Sequence, residues 1–118
     1  MGFNSTFANS DNSLVLTVDA RDDGSFNGQF AYNGTSHPIF SGGWHNGVSE
    51  ASTFMFLAGS GIPDQMALGA AGVIFGARRD KQPYKITIAG AAATITGNGM
   101  DAPNALTPFA GELNRRKK

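Results

Sequence analysis

Cysteine is absent from this chain. That excludes disulfides, thiolate nucleophiles and cysteine-based zinc sites, and it is compatible with a reducing compartment. Charge is sparse and balanced, with nine Lys and Arg against nine Asp and Glu in 118 residues. A chain of zero net charge has no long-range field to recruit nucleic acid or an acidic membrane, so neither is an expected partner. It also has little self-repulsion to keep copies apart, and a homo-oligomer is expected. No apolar run reaches the 18 residues that would mark a membrane helix. The opening MGFNSTFANSDN has neither a basic nor an apolar segment, so no signal peptide is expected in it.

Catalytic signatures are missing too. Histidine occurs twice, at His37 and His45, and nothing in the spacing places a nucleophile and an acid around either one. There is no Gly-x-Ser-x-Gly elbow, no phosphate loop and no His-Glu-x-x-His. His37 precedes Pro38 and reads as a surface turn residue. Asp19, Asp22 and Asp23 do not have the spacing of a calcium loop and read as turn formers that accept from their own backbone. Glu50, Asp64, Asp80, Asp101 and Glu112 are dispersed, so no paired acid and base can be argued. No enzyme activity, cofactor or metal is expected. The basic clusters at 78–81 and 115–118 are too short to form a nucleic-acid footprint and read as a solvated turn and a frayed tail.

What is abundant is glycine, 16 in all, scattered between short apolar runs that include nine phenylalanines. Long helices need stretches without glycine, whereas strands joined by tight turns tolerate this spacing. Leu14, Leu16 and Val18 alternate with Val15, Thr17 and Asp19, the period of a strand. Asp22-Asp23-Gly24 then turns the chain. The returning run sets Phe26, Gly28, Phe30 and Tyr32 on one face and Ser25, Asn27, Gln29 and Ala31 on the other. Gly28 marks a close backbone approach or a coiled strand. Asn33-Gly34 closes a second hairpin. Further strands are expected over 38–44, with Pro38 at the start, over 52–58, from Tyr84 to Ala89 with a continuation over 93–96, and over 107–113. The stretch 66–77 is ambiguous, because Met66, Leu68 and the alanines favour helix and Gly69, Gly72 and Gly76 oppose it. A strand is expected over 70–76. Seven to nine short strands with hairpin-length loops fit one all-β domain over 1–118. The expected architecture is a single antiparallel up-and-down β-barrel of about eight strands, whose closure removes exposed edges.

Two stretches resemble known families. Phe7-Ala8-Asn9-Ser10-Asp11-Asn12-Ser13 and Asp23-Gly24-Ser25-Phe26-Asn27-Gly28-Gln29-Phe30 are similar in pattern to the opening of avidin and streptavidin-type proteins. That resemblance covers about the first quarter of the chain. It implies an eight-stranded barrel, often tetrameric, with a small ligand in its open end. It also implies that Asn9 and Ser13 hydrogen-bond the ligand. Phe30 stands where that family has a tyrosine, and Trp44 is the lone tryptophan where the family has several, which counts against biotin itself. Asp22-Asp23-Gly24, Asn27-Gly28, Tyr32, Gly34 and Pro38-Ile39 resemble instead the high-mannose-binding lectins of the Oscillatoria agglutinin type. That family also implies an antiparallel barrel.

The expected function is therefore non-enzymatic binding of a small molecule in the barrel mouth. Asn9 and Ser13 supply hydrogen bonds, and Tyr32, Trp44 and Tyr84 supply ring faces with polar tips. Phe30 lies at the same site. A lectin reading glycans through Trp44 and the Asn27-Gly28 backbone is the first alternative. An assembly module, packed solid and joined through its outer face, is the second. A cavity of roughly 300 Å3 or more would favour the ligand, and a large exposed apolar sheet face would favour assembly.

Overall fold

A computed structural model describes residues 2–45, 51–59, 65–76, 83–95 and 105–116. The turns and loops expected at 46–47, 60–64, 78–82 and 97–104, and the end of the basic tail, lie outside the described residues. Eight strands run in chain order: β1 (Phe3–Ala8), β2 (Leu14–Ala20), β3 (Phe26–Tyr32), β4 (Thr35–His45), β5 (Ala51–Gly59), β6 (Gln65–Phe75), β7 (Lys85–Ile95) and β8 (Ala105–Arg115). Each pairs antiparallel with the next, and β8 returns to β1, so the sheet closes into an up-and-down barrel. The ambiguous stretch is strand from Gln65 to Phe75. Burial of Leu68, Ala70 and Ile74 on one face decides it over the helix propensity of its alanines. Of the run 93–96, the described residues 93–95 belong to β7, whose single ladder to β6 extends as far as Ile95.

The turns follow the sequence. Tyr32 lies opposite Thr35, with Asn33 and Gly34 both at positive φ between them, the two-residue turn whose twist matches the flanking strands. At the β2–β3 turn the Gly24 N–H donates to the Arg21 carbonyl at 3.0 Å, with Gly24 at φ 92°. Asp23 accepts from the Ser25 N–H at 2.9 Å. Gly28 sits mid-strand at φ 142°, where a Cβ would fall 2.0 Å from the Thr17 carbonyl oxygen. Of the two roles read for Gly28, the close approach is therefore by β2.

β4 departs from simple alternation. Ile39 lies opposite Ala58, yet Ser41 lies opposite Leu57, so Phe40 is an extra residue in a β-bulge. The bulge turns Ile39 and Trp44 both inward, although they are an odd five positions apart. Pro38 sits within β4, exposed and paired with Gln29, and does not start the strand.

The interior is filled by rings. Phe26, Phe54 and Phe56 stack with centroids 5.2–6.1 Å apart. Phe7, Leu16, Val18, Ile74, Ile86, Ile88 and Leu113 pack around them. The strands are also sheared. A walk along the ladders from Ser5 through Val18, Gly28, Ile39, Ala58, Leu68 and Ala92 ends at Thr107. β8 nevertheless meets β1 with Arg115 opposite Phe7, two residues beyond Ser5. The offset of about ten residues is the stagger that tilts the strands and sets the width of the barrel. Among the described residues, Ala105 to Leu113 of β8 therefore has a strand partner only in β7.

Candidate functional site

The β1–β2 and β3–β4 turns lie at one end of the barrel and are tied together, with the Asn33 N–H donating to the Ser13 carbonyl at 2.8 Å. This end gathers Asn9, Ser13, Phe30 and Tyr32 from the expected site. Register and ring contacts add His37 and Phe109. His37 lies opposite Phe30, and Phe109 packs on Phe30 at 5.6 Å and on Tyr32 at 5.4 Å. Because β8 continues past its junction with β1, the half-buried Phe109 and the exposed Thr107 stand as a wall above this end.

Asn9 and Ser13 are engaged in their own turn. The Asn9 side-chain oxygen accepts from the Leu14 N–H at 3.1 Å, and its amide donates to the Ser13 hydroxyl at 2.8 Å. The Ser13 hydroxyl and N–H in turn serve Asp11, whose carboxyl they hold below the usual carboxylate range. This network replaces the missing ladder bonds of a five-residue turn. Phe30 is wholly buried and forms the floor of the end as core.

His37 differs most from expectation. It faces inward and is only 2% exposed, and both ring nitrogens are buried without a hydrogen-bond partner among the described residues. Burial pushes its pKa below 6.5, so the ring is held neutral. A neutral imidazole offers one donor and one acceptor. The turn reading came from the His-Pro pair and Asn33-Gly34. Alternation counted back from Ile39 puts His37 on the inner face and was the signal that could have found it. Phe109 was overlooked because Pro108 obscures the alternation of β8.

The remaining expected residues lie elsewhere. Trp44 plugs the opposite end, buried edge-on against Phe3 at 5.6 Å, and its indole N–H donates to the Arg21 carbonyl at 2.7 Å. Its ring is not presented at the surface. Tyr84 precedes β7, 55% exposed, with its ring over Gly76. The structure thus separates Trp44 and Tyr84 from Tyr32. Among the described residues, no three His, Asp or Glu side chains come together in a way that could hold a metal ion.

The fold and this end define an eight-stranded antiparallel barrel with an aromatic floor and one buried neutral histidine. Searches against family models, curated proteins and solved structures find no match for the chain. The avidin and agglutinin resemblances therefore rest on the short sequence motifs alone.

Proposed function

We propose that this chain is a non-enzymatic binding barrel that holds a small, uncharged, ring-bearing molecule at its Tyr32–His37–Phe109 end. The observation that carries the reading is His37. Buried polar groups in folded proteins are nearly always hydrogen-bonded, and an unpaired one calls for an explanation such as a missing bound species. A ligand that offers both an acceptor and a donor satisfies the neutral ring. The half-buried Tyr32 and Phe109 give it apolar faces to stack on. A cationic or anionic ligand fits poorly, because the described part of this end has no inward charge to match it.

The test is thermal denaturation with and without ligand, with the methyl ester of biotin, which carries no charge, as the first probe and a high-mannose glycan beside it. A ligand bound only by the folded state adds about 2.7 kcal/mol at one hundred times its Kd. At this chain length that raises Tm by about 10 °C. The expected result is a rise with one probe that disappears in both Tyr32→Ala and His37→Phe. No rise with either probe or with a panel of neutral ring compounds sinks the proposal, as does a rise that survives His37→Phe.

A further inference from the structure

The outer surface of the barrel has two different halves. On β1 to β3 the outward residues include Asn4, Thr6, Thr17, Asp19, Asn27 and Gln29. On β5 to β8 most of the described ones are apolar or small, and the polar ones include Thr53, Thr87 and Asn114. Met55 and Leu57 project from β5, 64% and 50% exposed. Ala67, Gly69, Ala71 and Val73 follow on β6, and Ala89, Ala91 and Ala93 on β7. Among the described residues of this face, charge returns at its edge, where Lys85 and Glu112 pair. A barrel standing free in water has no use for such a division, and one inserted in lipid would need an apolar band all the way round.

The relief of this face is self-complementary. Met55 stands between two hollows. One, of about 400 Å3, is lined by Gly43, Thr53 and Ala71. The other, of about 320 Å3, is lined by Ser41, Leu57 and Gly69. The knobs thus stand on β5, and small residues on β4 and β6 leave room beside them. Consider a two-fold axis lying in the interface, parallel to the strands and midway between β5 and β6. It sets Met55 of each copy over Ala71 of the other and Leu57 over Gly69, the small residues that line the two hollows. Such an interface uses the same patch on both partners, and two sheets packed this way interdigitate about 10 Å apart.

The size suits a weak dimer. Three strands about 4.8 Å apart and nine residues of about 3.3 Å each cover roughly 430 Å2. Phe40 adds to the rim from the bulge, with most of its ring exposed. That is below the roughly 800 Å2 that each partner contributes to a standard interface and within the range of small, weak ones; it also matches the roughly 300–600 Å2 of the largest apolar patches on monomers, which are often functional. We infer that the β4–β5–β6 face is the contact between two copies of this chain, with Met55 as its central knob. This inference is independent of the ligand proposed above.

The full chain is examined by sedimentation equilibrium and native mass spectrometry over 0.1–100 µM, about the range in which interfaces of this size dissociate. The expected result is a dimer whose Kd rises at least about 100-fold in Met55→Arg, as expected for a central residue of a small interface. Thr17→Arg, on the polar half, leaves the dimer intact. Circular dichroism and a cooperative melt confirm that Met55→Arg is folded, and Leu57→Arg serves as the second variant. A monomer throughout the range overturns the inference. So does an oligomer that both arginine variants leave unchanged.

Discussion

Replacing His37 by phenylalanine should stabilise the unliganded protein. The two ring nitrogens are buried and unpaired among the described residues, and each state of the ring that leaves a buried donor or acceptor unsatisfied costs about 1–3 kcal/mol. Phenylalanine keeps the planar ring beside Phe30 and removes both polar atoms. A gain of about 1–2 kcal/mol is expected, reduced from the full penalty because the larger ring must be accommodated. For 118 residues the unfolding entropy near the midpoint is about 0.25 kcal/mol per degree, so Tm should rise by roughly 4–8 °C. The pH dependence supplies a second readout. Burial lowers the folded-state pKa of His37 below 6.5, whereas the unfolded chain takes up that proton as the pH falls through about 6.5. The His37 contribution to stability is therefore intact above that pH and is lost below it, by about 1.4 kcal/mol per pH unit until the folded-state pKa is reached. Urea unfolding of wild type and His37→Phe between pH 5 and 8 measures both effects. The acid-side loss should shrink in the variant. A variant less stable than wild type at pH 7.5, with an unchanged slope below pH 6.5, would refute the buried, unpaired histidine and with it the reason for expecting a ligand.

Three further outcomes follow from the packing and turns. Trp44→Ala should destabilise by about 3–5 kcal/mol, since it empties the plug and strands the Arg21 carbonyl, whereas Trp44→Phe should lose about half as much; chemical denaturation distinguishes them. Gly28→Ala should be more damaging than a surface change of the same size, because an alanine must leave φ 142° and displace the Thr17 carbonyl; a loss of about 2 kcal/mol or more is expected, and a neutral result would contradict the close β2–β3 approach. Asn9→Ala should cost about 1–2 kcal/mol by leaving the Leu14 N–H without its side-chain acceptor. Amide exchange at Leu14 should accelerate in that variant, and an unchanged rate would show that the turn does not depend on Asn9.

The barrel was legible because its turns carry their own chemistry. Asn33-Gly34 and Asp23-Gly24 fixed two hairpins, and the alternation of β2, β3 and β5 fixed which residues face inward. Asn9 and Ser13 were joined to Tyr32 through the family resemblance, and the structure brings these three to one end while it holds Trp44 and Tyr84 away from it. Three features were hidden for identifiable reasons. The bulge at Phe40 shifts alternation by one residue, so the run from Pro38 to Trp44 does not announce that its tryptophan points inward. His37 was assigned to the turn because its neighbours are turn formers, while the ladder opposite Phe30 carries it into the core. The helix-like composition of 66–77 reflects small residues suited to a flat outer surface and says little about backbone conformation. A resemblance to a binding family also directed attention to Asn9 and Ser13 as ligand groups, and their hydrogen-bonding capacity proves to be largely taken up by the backbone and by Asp11.

The junction of β1 with β8 bears on the order in which the barrel assembles. Among the described residues it consists of Phe7 opposite Arg115 and Ala8 opposite Asn114, with one further bond from the Arg116 N–H to the Thr6 carbonyl. Each of these contacts closes a loop of nearly the whole chain, whereas β5 to β8 pair through long ladders between neighbours in sequence. Loop closure has an entropic cost that grows with chain length, and contacts of high sequence separation slow folding. The β5–β8 meander should therefore nucleate first and the seam should zip last. In the native state the seam should also be the first place to breathe. Hydrogen exchange should find the Ala8 and Arg116 amides, which face the seam, opening by a low-energy local route, while the centres of β6 and β7 exchange only through global unfolding.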